Sequence, residues 1–356
     1  MISAMCERPT RLLVFTLLLS LTVWRMAAAQ NSDSLRIPGE KHIQHVRQLT
    51  FGGENAEAYF SFNFDRLIFQ STRDSFPCDQ IFSMDLEGNH LRLLSTGTGR
   101  TTCAYFLPGD TTIIYASTHL AGPHCPPRPD YSKGYIWAVY KSYDIFLATA
   151  GGAIRRQLTA TEGYDAEATV SPLGDRIVFT SVRDGDLDLY TMNLDGSNVR
   201  RLTNELGYDG GAFFSPDGKQ IVYRAYHPAE QQEIAEYKAL LADGFVRPSK
   251  MDLFVMNSDG SDKHQITHLG AASFGPYFHP DGKHIIFASN MHDPKGRNFE
   301  LYLVNIDGTH LEQITFNPSF DGFPMFNRDG TKLVFASNRH DHVKGETNIF
   351  MADWVP

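Results

Sequence analysis

The stretch YDAEATVSPLGDRIVFTSVRDGDLDLYTMNLDGSNVRRLT, residues 164–203, is one copy of a pattern written six times between residues 42 and 354. Its parts are a period-2 apolar strand, an Asp-Gly hairpin and an Arg-x-Leu-Thr ending. The start returns as SPDGKQIVY at Ser215, HPDGKHIIF at His279 and NRDGTKLVF at Asn327, and in worn form as SFNFDRLIF at Ser61 and LPGDTTIIY at Leu107. With Ser171 as register mark, successive copies lie 46, 64, 44, 64 and 48 residues apart. Periods near 40 to 50 residues with four strands each are those of propeller blades.

A second strand recurs as RLIFQS, TIIYAS, RIVFTS, QIVYRA, HIIFAS and KLVFAS, and a third as DQIFSMD, YDIFLAT, LDLYTMN, MDLFVMN, FELYLVN and TNIFMAD. Both are rich in β-branched and aromatic residues, as half-buried strands are. The third passes to a fourth through Glu87-Gly88, Gly151-Gly152, Asp195-Gly196, Asp259-Gly260 and Asp307-Gly308, where a tight hairpin needs the positive φ that Gly supplies. These aspartates read as turn formers before calcium ligands. The sixth copy stops after its third strand. The stretch HIQHVRQLT, residues 42–50, matches the fourth strands yet precedes the first copy, and pairing it with the last copy closes the ring without an open edge. The expected fold is all-β, a six-bladed propeller of four-stranded antiparallel blades closed by the N-terminal strand.

Residues 1–29 stand outside the pattern. Arg8 and Arg11 precede an apolar run, residues 12–24, too short to span a bilayer, and Ala27-x-Ala29 offers a cleavage site. A cleaved secretory signal is expected, leaving a single propeller over residues 30–356 with no membrane span and no second domain ahead of the closing strand. Cleavage removes three arginines and one glutamate, which takes the net charge from −9 to −11. That balance argues against a nucleic-acid partner, which needs a basic stripe. Cys78, Cys103 and Cys125 remain. In an oxidising compartment one pair forms and one thiol is left over, and spacing does not choose between them.

The connections from fourth to first and from second to third strands share one face of a propeller, the usual ligand face, and there the copies diverge. Four residues past each second-strand aromatic stand Arg73, His119, Arg183, His227, Met291 and Arg339; four before each register mark stand Glu57, Cys103, Glu167, Gly211, Gly275 and Phe323, with Asp165, Asp209 and Asp321 two residues further upstream. Such sets form either repeated inter-blade ion pairs or a binding ring. His119 and His227 replace the repeat's Arg, and each roots an insertion, at 120–140 and 228–250. The second reads as a helix with Pro228 in its first turn, an Ile234/Tyr237/Leu241 stripe and Gly244 as terminator. The two insertions would wall the mouth around blade 3, with His124, His292 and His340 nearby. Neutral imidazoles meeting carboxylates would suit a divalent metal, zinc or manganese, at the channel mouth, held by His119 and His227. Tyr131, Tyr135, Trp137 and Tyr140 are candidates to stack on sugars or anchor a peptide. There is no Gly-x-Ser-x-Gly elbow, no phosphate loop and no His-Glu-x-x-His helix.

The Pro-Asp-Gly-Lys strand starts and the LYxMNxDGSxxxxLT endings resemble the WD-like repeats of the TolB-like propeller family, over nearly the whole chain after residue 29. The resemblance implies a six-bladed, secreted or periplasmic bacterial propeller that binds proteins or other ligands at one face, envelope proteins among them. Similar repeats build the propellers of prolyl-oligopeptidase-like peptidases and of oligogalacturonate lyases, the latter with a metal-bearing channel. Two readings follow: a monomeric, non-catalytic module binding a protein or glycan between the insertions, or a metal-dependent lyase or hydrolase with Glu57 or Glu167 as acid or base. Ligand-binding candidates are Arg73, His119, Arg183, His227, Arg339, Glu57, Glu167, Asp165 and Trp137.

Overall fold

The computed structural model describes residues 32–356, so the expected leader lies outside the described residues. Six four-stranded antiparallel sheets follow one another as blades. Their innermost strands are Glu54–Phe60, Thr101–Phe106, Asp165–Val170, Tyr208–Phe214, Ser273–Phe278 and Asp321–Phe326. Blade 6 takes its outer strand from the N-terminal side: Ile43–Gln48 pairs antiparallel with Asn348–Trp354, Ile43 opposite Trp354 and Gln48 opposite Phe350. The ring therefore closes as the pattern predicts.

Each recurrent residue has a physical task. The second-strand aromatic sits directly opposite the third-strand aromatic in every blade: Phe69 and Phe82, Tyr115 and Phe146, Phe179 and Tyr190, Tyr223 and Phe254, Phe287 and Tyr302, Phe335 and Phe350. Ring centres stand 5.5–6.3 Å apart across the six pairs. The second-strand members are buried, and such pairs add about 0.5–1.5 kcal/mol each beyond area burial. The Thr or Ser that ends each fourth strand turns its hydroxyl to the third: Thr203 Oγ1 accepts from the Leu189 amide at 2.9 Å and donates to Asp188, and Thr50, Ser95, Thr159, Thr267 and Thr315 accept in the same way. The Leu-Thr ending is thus a stitch that satisfies a buried amide where the short outer strand ends.

The Asp-Gly hairpins behave as turns. Asp195, Asp259 and Asp307 each accept from the backbone and hydroxyl two residues on. Gly308, at φ +81°, also lies where a Cβ would come within 2.3 Å of the Ile266 carbonyl.

Both insertions leave between second and third strands, of blades 2 and 4, and they meet. Trp137–Ala138 pairs with Phe245–Val246 in a two-stranded sheet that bridges over blade 3. The helix, α1, spans Gln231–Ala242. Pro228 lies ahead of it rather than in its first turn, because Glu230 is the N-cap with extended backbone. Tyr237 is the buried member of the expected stripe, its hydroxyl donating to the Gly207 carbonyl at 2.6 Å, and Gly244 follows at φ +81°. A disulfide joins Cys78, between strands of blade 1, to Cys125 in the first insertion, and Cys103 stays free.

Candidate binding cavity at the insertion-bearing face

The ring of cationic candidates does not converge on the axis. Each member folds back over the aromatic pair of its own blade: Arg73 over Phe82 at 5.8 Å from the ring centre, Arg183 over Phe179 and Tyr190 at 5.1 and 5.0 Å, and Arg339 over Phe335 at 5.0 Å. His119 lies against Phe146, with centroids 4.4 Å apart, and His227 against Phe254 at 5.2 Å. The carboxylates upstream complete this arrangement. Asp165 binds Arg183 at 2.9 Å, Asp209 binds His227 at 3.0 Å and Asp321 binds Arg339 at 2.6 Å. These pairs lie within blades rather than between them, because antiparallel pairing sets Asp165 opposite Ser181, two residues before Arg183. Arg339 gains a second carboxylate, Glu40 at 2.8 Å, from the segment ahead of the closing strand.

The candidate metal pair is not assembled. His119 Nδ1 faces Ser117 Oγ at 2.9 Å, burial holds its pKa below the usual imidazole value, and His227 turns to Asp209. Neither joins a group of three or more ligating side chains; among the described residues the one such group is His279, Asp281 and His284, at the opposite end of the blades.

What does face the axis is the second set. In every inner strand the ladder slips at one point, between Ala56 and Tyr59, Thr102 and Tyr105, Ala166 and Thr169, Gly210 and Phe213, Phe274 and Tyr277, and Gly322 and Met325. The residue inside each slip has left-handed backbone: Glu57 φ 54°, Cys103 49°, Glu167 57°, Gly211 60°, Gly275 55° and Phe323 53°. These are bulges, and a bulge re-aims its side chain. Glycine, present in two of the six, is what this conformation favours, and each other residue there costs roughly 1–2 kcal/mol. Four blades carry that strain to project Glu57, Cys103, Glu167 and Phe323 into one cavity of about 1010 Å³.

Two residues beyond the bulges the axis is blocked. Tyr59 of blade 1 meets Phe213 of blade 4 at 5.5 Å, Phe213 meets Tyr277 at 5.3 Å and Tyr105 at 6.4 Å, and the hydroxyls of Tyr105 and Tyr277 approach each other from blades 2 and 5. Blades 1 and 4, like 2 and 5, stand across a ring of six, so these contacts plug the channel and the cavity is blind. It opens toward the insertions. Tyr131, Tyr135, Trp137 and Tyr140 of the first insertion form one wall, and Lys295 and Arg297 stand at the rim from blade 5. Trp137 packs on Phe274 at 4.8 Å and lies under the Arg224 guanidinium at 5.2 Å.

The two glutamates differ. Every oxygen of Glu167 is used: Thr180, the Tyr208 hydroxyl, the Gly211 amide and Arg224 Nη2 all donate to it at 2.7–2.9 Å. A Cβ on Gly211 would come within 2.2 Å of Arg224 Nη1 and one on Gly210 within 2.5 Å of Glu167 Oε2, so the Gly-Gly pair makes the room this cluster occupies. Glu57, by contrast, keeps Oε2 buried without a partner. Burial pushes its carboxyl up to about 7, against a hydrogen bond from the Cys103 thiol and with help from the nearby Glu167 charge. Burial likewise raises the Cys103 thiol well above its usual range.

Because folded Glu57 holds its proton more tightly than an unfolded glutamate, stability falls as pH rises from about 4.5 to about 7 and levels off above. Glu57→Gln removes that loss. The variant is expected to gain roughly 2–3 kcal/mol on wild type between pH 4 and pH 8. Urea unfolding at both pH values checks it, and a gap independent of pH rules out a perturbed Glu57.

Arg224, Tyr164, Tyr143 and the Asp79–Arg100 pair, 3.1 Å apart, also line the cavity and were not singled out by sequence. Arg224 carried a legible signal: it follows the second-strand aromatic, where other blades have Gln70, Ala116, Thr180, Ala288 and Ala336. Glu57, Glu167 and Trp137 are the candidates that the cavity brings together; Arg73, His119, Asp165, Arg183, His227 and Arg339 belong to the blade walls.

Residues 129–245 match the TolB beta propeller domain model. No curated protein matches the chain. Among solved structures, a putative TolB from Agrobacterium tumefaciens is similar at 17% identity and TM-score 0.58, over 87% of this chain and 97% of that one. TolB from Acinetobacter baumannii is 18% identical with TM-score 0.54, over 95% and 68%. An oligogalacturonate lyase from Vibrio parahaemolyticus is 13% identical with TM-score 0.51, over 87% and 93%. The fold is thus that of a TolB-like propeller, a fold shared by binding proteins and enzymes.

Proposed function

We propose that this chain is a binding module of the bacterial periplasm or extracellular space, which takes a segment of a protein or glycan into the blind cavity between its insertions. The observation that carries the reading is the pairing of an aromatic wall with polar groups held on strained bulges, on a face where the insertions of blades 2 and 4 join. Concave, largely apolar sites with a few fixed polar groups are where ligands bind. The Cys78–Cys125 bond and the apolar leader support an oxidising compartment. No described helix is long and apolar enough to cross a membrane.

Arrays of oligosaccharides and peptides test the proposal, read with wild-type and Trp137→Ala protein. A ligand of this cavity is expected to lose about 30-fold in affinity, the roughly 2 kcal/mol of a buried aromatic anchor. Specific ligands that all bind both proteins equally would place the binding surface elsewhere.

A second reading rests on Glu57 alone. A buried carboxyl with a pKa about 7 and one oxygen free is suited to move a proton to or from a bound substrate. Turnover of any bound ligand that disappears in Glu57→Gln, with binding kept, would favour it.

A further inference from the structure

The turn between first and second strands is built alike in most blades. A small polar residue at the register mark holds the chain: Ser215 Oγ donates to Asp217 at 2.7 Å and accepts from the Gln220 amide, Ser61 pairs with Asp65, and Asn327 accepts from the Lys332 amide. Blade 5 departs twice in the same turn. The register residue is His279, and the residue five places on, Gln220 in blade 4 and Lys332 in blade 6, is His284. Both imidazoles close on one carboxylate, Asp281. His279 Nδ1 lies 3.1 Å and His284 Nδ1 2.6 Å from Asp281 Oδ2, and the three atoms all fall within 4.8 Å of one another.

Three further features bear on what this cluster holds. Asp281 Oδ1 accepts from the Lys283 and His284 amides, which leaves Oδ2 aimed at the imidazoles. The His279 ring is fixed in place, edge-on to Phe326 at 4.6 Å and near Trp354 at 6.1 Å. Its Nδ1 accepts the Asp281 amide hydrogen at 3.2 Å. Nδ1 in that role bears no proton of its own, so its 3.1 Å approach to Asp281 Oδ2 is made without a hydrogen bond.

We propose that His279, Asp281 and His284 bind a divalent transition metal, zinc by preference, on the face opposite the cavity. Two imidazole nitrogens and one carboxylate oxygen suit zinc. At bond lengths of about 2.0–2.2 Å, tetrahedral ligands lie roughly 3.4 Å apart, so the carboxylate–imidazole distances of 3.1 and 2.6 Å need only open by less than about 1 Å to admit the ion. His279 is largely covered while His284 and Asp281 are more than a third open, so water completes the coordination. His279 Nε2 is buried with no acceptor behind it, and ligating histidines are normally braced there; the site is accordingly one of modest affinity, filled and emptied with the metal supply.

Zinc titrated calorimetrically into the chelator-stripped full chain tests it. The decisive variant is His279→Asn with His284→Lys, which rebuilds the turn with the residues blade 6 uses at those places, Asn327 and Lys332, and keeps Asp281 where blade 6 has Asp329. Wild type is expected to bind one zinc per chain at this site. The double variant should bind at least tenfold more weakly with an unchanged thermal transition, and Asp281→Asn should behave likewise. His119→Ala with His227→Ala should bind as wild type. Unchanged affinity in the double variant, or no zinc bound by wild type, overturns the proposal, and so does zinc binding that depends on His119 and His227.

Discussion

Replacing Arg224 with alanine is expected to lower the stability of the propeller by about 3–5 kcal/mol, the usual loss when one partner of a buried ion pair is removed. Arg224 Nη2 lies 2.8 Å from Glu167 Oε1 and 2.7 Å from the Tyr208 hydroxyl, and the two charged side chains are only 9% and 12% exposed. The guanidinium is also covered by the rings of Trp137, Tyr208 and Phe274. Without it the Glu167 carboxylate stays buried with only neutral donors, and Trp137 loses the cation above its ring. Urea unfolding near neutral pH measures the loss. Adding Glu167→Gln to the variant should recover part of it, since the stranded charge is then gone, and the cycle isolates the pair. A loss under about 1 kcal/mol would mean that water reaches the cluster and screens the pair.

The second large effect is expected from the disulfide. Cys78 and Cys125 are 47 residues apart, and opening a loop of that length releases about 4 kcal/mol of chain entropy to the unfolded state in the loop-closure treatment. The bond ties blade 1 to the first insertion, which carries Trp137 and its neighbouring tyrosines. Cys78→Ser with Cys125→Ser should therefore unfold at lower urea and also bind any cavity ligand more weakly, with the wall no longer anchored. Reductant should reproduce both changes in wild type and neither in the variant. A wild-type midpoint indifferent to reductant, with alkylation showing three free thiols beforehand, would show that the bond is not formed.

Much of the molecule could be read from periodicity. Blade count, strand order, the Asp-Gly hairpins and the closing of blade 6 by residues 43–48 all follow from local preference repeated six times, because each blade meets nearly the same surroundings as the last. Insertions were visible as two lengthened periods and α1 as an apolar stripe. The bulge positions were visible too, as the places where Glu57, Cys103 and Glu167 replace the glycines of blades 4 and 5, though the reason, a left-handed kink aimed at the axis, was not.

Partnership is where repetition failed. Counting along the chain put Arg73, Arg183, Arg339, His119 and His227 on a common ring, yet each is drawn to the aromatic pair of its own blade, and Arg183, His227 and Arg339 to a carboxylate there as well, since those partners are nearer than the axis. That Trp137 would reach Phe274 of blade 5, that Phe245–Val246 would pair with Trp137–Ala138, that Cys125 rather than Cys103 would meet Cys78, and that Tyr59 would touch Phe213 across the channel depend on which blades stand opposite once the ring has closed. A one-dimensional pattern of strands and turns determined the propeller by itself. The cavity, its plug and the buried, unpartnered oxygen of Glu57 were decided by contacts between residues far apart in the chain, whose energies exist only after closure has expelled the water between them.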